Sequence, residues 1–126
     1  MTLVHKIVLW GLLGLLGLSL LVPGLMNVVR KDEGTVWLIA ETVDAKNHLR
    51  ALNAMMAALG LIALWACWDL ERARLAVIGL GVVMAALVVA RAYSIVVDGW
   101  PSPMTLVYLA VEVVMATLFL AWPPPG

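Results

Sequence analysis

Arg50, Arg91 and Glu112 each sit inside an apolar run long enough to cross a membrane. A charge held at such depth is expensive, so it is normally paired and often functional. Other polar residues accompany these three at helical spacing. Ser94 and Asp98 follow Arg91 at i+3 and i+7, Asn47, Arg50 and Asn53 recur at three-residue steps, and Tyr108 stands one turn before Glu112, so each set shares one face of its helix. The chemistry open to these residue types is recognition and proton exchange. A guanidinium grips a carboxylate or phosphate through two parallel hydrogen bonds, and a carboxyl group can pass a proton to a bound molecule within hydrogen-bond reach. The plainer alternative is that these groups only tie helices together, through contacts of about 0.6–2 kcal/mol each.

Other chemistries find less support. His5 opens the first apolar run and His48 the second, so they fall on opposite sides of the membrane and cannot grip one metal or haem within a single chain. Each reads as an interfacial side chain. Cys67 is the single cysteine, which excludes an internal disulfide and a multi-cysteine metal or iron–sulfur site within one chain. It reads as a small apolar helix residue. There is no Ser-His-Asp order, Gly-rich phosphate loop or metal-ligand spacing, so no cofactor and no metal are expected. Eight basic and eight acidic residues give zero net charge, and the clustered Lys and Arg of a nucleic-acid footprint are missing.

Composition dictates the elements that must position these residues. The 126 residues are 64% hydrophobic and 13% charged, against about 45–50% and about 25% in soluble domains. Lipid is the expected solvent. Four apolar runs, at about 7–29, 49–68, 75–97 and 104–122, each approach the roughly 20 residues a spanning helix requires. They leave no room for a soluble catalytic domain. The expected fold is all-α: one transmembrane domain over residues 1–126, an antiparallel, up-down four-helix bundle.

The first run is longer than the roughly 7–15 residues of a signal-peptide core and lacks a clear cleavage site, so it reads as a retained helix, kinked or ended early by Pro23-Gly24. Gly11, Gly14 and Gly17 recur every third residue in it and suggest a strip for close helix packing. Residues 30–47 form an expected interfacial loop, in which the short stretch Val36 to Ala40 cannot span and Trp37 suits the membrane surface. Residues 69–74 make a tight polar turn, and Asp98-Gly99-Trp100-Pro101-Ser102-Pro103 makes the next. Trp65, Trp68, Trp100 and Trp122 mark the span ends as aromatic anchors. Met55, Met56, Met84 and Met115 read as core filler. The positive-inside count is nearly tied, with Lys6, Arg72 and Arg74 on one side and Arg30, Lys31 and Lys46 on the other. The turn with Asp98 and no Lys or Arg tilts its own side toward the outside.

Four antiparallel spans bring the start of the second, the end of the third and the start of the fourth to one side. Arg91 lies seven residues before Asp98, about 10 Å inward, and Glu112 nine residues after Pro103, about 13 Å inward. An Arg91–Glu112 pair is therefore expected. With Asn47, Arg50, Asn53, Ser94, Asp98 and Tyr108 it would line a polar cavity open toward one leaflet. If Asp98 stays at the surface, one guanidinium is left for an anionic or carbonyl-bearing ligand.

Asn47-His48-Leu49-Arg50-Ala51-Leu52 leading into Ala57-Ala58-Leu59-Gly60, then Arg91-Ala92-Tyr93-Ser94, the turn Gly99-Trp100-Pro101-Ser102-Pro103, and Glu112 resemble a family of small four-helix membrane proteins. It is known as domain of unknown function 4345 and looks like part of the DoxX-like superfamily. The resemblance covers roughly residues 47–120, with the first helix similar only in character. Val89-Ala90 stand where glycines often precede the helix-three arginine, which weighs against a close backbone approach there. The resemblance implies a bundle in the bacterial cytoplasmic (inner) membrane and singles out Asn47, Arg50, Arg91, Ser94 and Glu112. It implies no established activity. Some DoxX-like relatives are subunits of quinone-linked oxidoreductases, an analogy at the level of fold.

Three functions are open on this sequence. The first is a membrane protein whose half-bundle cavity binds a small amphiphile, lipid or quinone-like, or which serves as an accessory subunit of a membrane complex. The second is an intramembrane enzyme with Glu112 as acid and base. The third is a small transporter, oligomeric because four spans rarely enclose a pathway, although inverted repeats are not evident. The expected partners are membrane lipids, the amphiphile, and further copies or complex subunits.

Overall fold

A computed structural model describes residues 1–29 and 42–125. Most of those residues are helical, in helices α1 (Leu3–Val29), α2 (Val43–Trp68), α3 (Arg74–Asp98) and α4 (Pro103–Ala121), with a short 3-10 turn at Leu70–Arg72. All four are long and apolar enough to cross a membrane. Only 22–28% of each helix's most apolar stretch is buried, and large apolar side chains such as Leu75 and Val96 are more than four-fifths exposed. Such a surface is unfavourable in water and suits acyl chains.

Local chemistry explains where the helices begin and end. Thr2 caps α1 by accepting the His5 N–H on its hydroxyl at 3.2 Å, so α1 starts before residue 7. Thr42 does the same for the Ala45 N–H at 3.0 Å, with Asp44 favourably placed in the first turn. As a result α2 begins at Val43, and residues 43–47, expected in the interfacial loop, are helical. Residues 30–41 of that loop, with Trp37, lie outside the described residues. Gly99 ends α3 with a φ of 97°, a left-handed conformation that favours glycine. Pro103 then occupies the first position of α4, where its missing N–H is harmless.

The chain divides into two compact units: unit 1, Met1–Leu12 with Asp69–Gly126, and unit 2, Leu13–Trp68. In unit 2 the rest of α1 runs antiparallel to α2 with little between the backbones. A Cβ on Gly60 would lie 2.6 Å from the Leu21 nitrogen and 2.7 Å from the Gly17 oxygen, and one on Gly24 would lie 2.9 Å from the Asn53 oxygen. This packing carries α1 through Pro23, so of the two outcomes expected there, a kink or an early end, the early end does not occur. Among the described residues, only Gly17 of the three glycines expected to form a packing strip meets another helix; a Cβ on Gly11 or Gly14 would touch none of them within 4 Å.

In unit 1, α3 packs antiparallel to α4. Gly81 admits Leu120 and Phe119, whose atoms would lie 2.8–3.0 Å from an added Cβ, and Phe119 is fully buried. The close approach of these helices is thus nearly three turns before Arg91, away from Val89-Ala90.

Candidate functional site

Arg91 and Glu112 meet across α3 and α4. The Arg91 Nε donates to Glu112 Oε2 at 2.6 Å and one terminal nitrogen, Nη2, donates to Oε1 at 2.9 Å, a fork-to-fork pair with both carboxylate oxygens engaged. The 99–102 turn sets the register that lets residues about 10 and 13 Å from their helix ends reach each other. The side chains are 34% and 12% exposed respectively. The guanidinium is therefore the member that faces outward. Its bonds to Glu112 use two of five N–H groups.

Beside the pair a cleft of about 320 Å³ opens between α3, the turn and α4. Arg91, Ser94 and Thr105 supply its polar atoms, and Leu87, Ile95, Leu106 and Leu109 most of its apolar wall. A polar head beside a greasy groove is the layout of a site for an amphiphile. Ser94 Oγ also donates to Asp98 Oδ2 at 2.9 Å, which ties the two residues expected on the Arg91 face to each other; Asp98 is exposed near the helix end. Tyr108 is exposed and does not line this cleft. Thr105 and Leu106 are cleft residues that the sequence reading did not single out. Their signal was the turn, which returns α4 past the face holding Arg91 and Ser94.

The polar residues of unit 2 are placed differently. Arg50 donates through Nη1 to the Val28 carbonyl, in the last turn of α1, where carbonyls lack intrahelical partners. α1 carries no basic residue of its own there, so Arg50 supplies the cation that a helix C-terminus favours. Asn53, 6% exposed, donates to the Leu49 carbonyl at 2.8 Å and accepts from Asn27 at 3.4 Å. Asn47 and His48 are exposed in the first turns of α2. The expected single cavity draws on residues of both units.

A second cleft in unit 1 was not expected. His5, read from sequence as an interfacial side chain, is 6% exposed. Its Nε2 donates to the Trp122 carbonyl at 2.6 Å, and its ring stacks on the Trp122 indole at 4.1 Å with planes 3° apart. Arg74 Nη1 donates to the Pro124 carbonyl at 2.9 Å. The 122–125 tail thus folds over the ends of α1 and α3, with Pro124 fully buried, and an open cup of about 700 Å³ forms there. Residues 117 positions apart in the chain meet at this end, and no local pattern announces such a contact.

One family model, described as a domain of unknown function (DUF4345), matches residues 8–123. No curated protein and no solved structure matches the chain significantly.

Proposed function

This chain belongs to the DUF4345 family, and we propose that it is a multi-pass membrane protein that holds a small amphiphile in the cleft between α3 and α4. One observation carries the reading: the outward-facing Arg91 of the Arg91–Glu112 pair forms the polar end of a cleft whose remaining wall is mainly apolar. The remaining N–H groups of Arg91 would bind the head of the ligand, with the Ser94 and Thr105 hydroxyls beside it. Leu87, Ile95, Leu106 and Leu109 would cover its tail. A lipid and a quinone both have this character. The wider cavity, in which Asn47, Arg50 and Asn53 join the same site within one four-helix bundle, extends this proposal and is not required by it.

The occupied carboxylate gives an acid and base role for Glu112 less support than binding, because both of its oxygens already accept from Arg91. A bacterial cytoplasmic membrane, a DoxX-like relationship, and assembly with further copies or complex subunits remain proposals that accompany this one.

The test is the composition of small molecules retained after purification in mild detergent, measured by mass spectrometry. Wild-type protein is expected to retain one amphiphile species well above the membrane background. Leu106→Trp, which fills the apolar end without touching the ion pair, should lose it. Equal retention by the two chains, or no enrichment in either, would overturn the proposal.

A further inference from the structure

The larger cleft of unit 1 lies at the opposite end of α3 from Arg91, seventeen residues or about 26 Å along the helix axis, and the charge on its wall is unbalanced. Arg74 brings a full positive charge to the rim, and its hydrogen bond to the Pro124 carbonyl occupies one of the five guanidinium N–H groups while holding the fork in place. Among the described residues it has no carboxylate partner. Among the described residues no Asp or Glu lines the cup; in the adjoining turn Asp69 is paired with Arg72 at 3.8 Å and Glu71 lies outside the lining. His5 and Trp122, stacked and hydrogen-bonded, build a firm aromatic wall. The starts of α1 and α3 add the partial positive charge of helix N-termini, which no acidic residue in either first turn offsets.

A volume of about 700 Å³ is in the range of small-molecule sites and admits either a phosphate ion or a phosphate-bearing headgroup. Tryptophan at the end of a spanning helix marks headgroup depth, and guanidinium geometry suits phosphate oxygens. We propose that the cup formed by Thr2, His5, Arg74 and Trp122 binds a phosphate group at the membrane surface, carried by an anionic lipid or present as the free ion. This site is separate from the α3–α4 cleft and does not rest on its function.

The experiment uses the full chain in maltoside micelles, which contain no phosphate. Short-chain phosphatidylglycerol and, separately, inorganic phosphate are titrated while the His5 ring and Trp122 indole resonances are followed by NMR. At least one titrant is expected to give saturable shifts at both residues. A response to inorganic phosphate identifies the ion as sufficient, whereas a response to the lipid alone identifies the headgroup; either supports the site. Arg74→Gln should weaken binding about tenfold, the scale of one charge-assisted hydrogen bond. Thr2→Asp keeps the α1 cap and the Arg74–Pro124 bond but puts a carboxylate in the cup, and should abolish binding even if Arg74→Gln fails to fold. Absence of saturable shifts with both titrants, or undiminished binding by Thr2→Asp, would overturn the assignment.

Discussion

In unit 2, Arg50 and Asn53 turn to main-chain carbonyls of their own unit, whereas in unit 1 Arg91 turns to the side chain of Glu112 and keeps part of its surface toward a cleft. The residue types are alike, and each lies within a stretch that composition assigns to the membrane. The difference lies in what each completes. Arg50 answers an electrostatic need that α1 creates at its own end, and it would be explained even if the protein bound nothing. Among the described residues, Arg91 and Glu112 answer only each other. Two apolar residues would pack α3 on α4 without the desolvation that an ion pair incurs, so retention of the pair beside a cleft calls for a further reason. Intramembrane charge is therefore informative about function only after the demands of helix ends have been subtracted.

The sharpest way to break this comparison is to remove one member of the pair. Glu112→Leu strands the Arg91 guanidinium, a change that costs about 3–5 kcal/mol for a fully buried pair. The one-third exposure of Arg91 lets water or headgroups reach it, so about 2–3 kcal/mol of lost stability is expected here, between the buried and exposed limits. The measurement is the unfolding midpoint in detergent. Adding Arg91→Leu should restore most of that loss and should abolish amphiphile retention. If the double variant instead stays as unstable as the single one, the pair is a structural tie like Arg50, and the distinction between the units fails.

Backbone contact offers a second contrast. At Gly60 an added Cβ meets main-chain atoms of α1, which cannot swing aside, while at Gly81 it meets chiefly the Leu120 side chain, which can. Gly60→Ala should therefore destabilise by about 2 kcal/mol, within the usual range for overpacking. Gly81→Ala should fall below about 1 kcal/mol because the gain in helix propensity offsets part of the strain. Both are read from the same unfolding midpoint. A Gly60→Ala chain as stable as wild type would mean that α1 and α2 do not approach as closely as their glycines allow.

Much of the architecture was legible before any coordinate. Four long apolar runs, separated by polar or Gly-Pro turns, admit few solutions in lipid, because each backbone must satisfy its own hydrogen bonds. The Arg91–Glu112 contact followed from counting residues back from one short turn, since helical rise is constant. The errors arose where contacts are tertiary or a cap was overlooked. Pro23 can kink or stop a helix, and close packing around Gly24 carries α1 past the early end that was the alternative to a kink. Thr42 was available as a cap signal and would have placed the start of α2 correctly. The His5–Trp122 stack could not be foreseen, because no periodicity connects the two ends of a chain. Gly11 and Gly14 had the spacing of a packing strip, yet spacing alone cannot say which helix, if any, comes to meet it.

The smallest effect is expected at Arg50, and it tests how the comparison was drawn. If this guanidinium completes the end of α1, Arg50→Met removes a charge-assisted bond and a favourable helix-end charge while leaving the alkyl stem in place. Terms of this kind amount to about 1 kcal/mol, half or less of the loss expected at Glu112. The α3–α4 cleft has no Arg50 in its lining, so amphiphile retention should remain at the wild-type level. Arg50→Lys, which keeps the charge but not the planar fork, should recover part of the stability. A loss of retained amphiphile in Arg50→Met with stability unchanged would reverse the assignment: Arg50 would then serve the ligand, and the polar residues of both units would have to be read as one site.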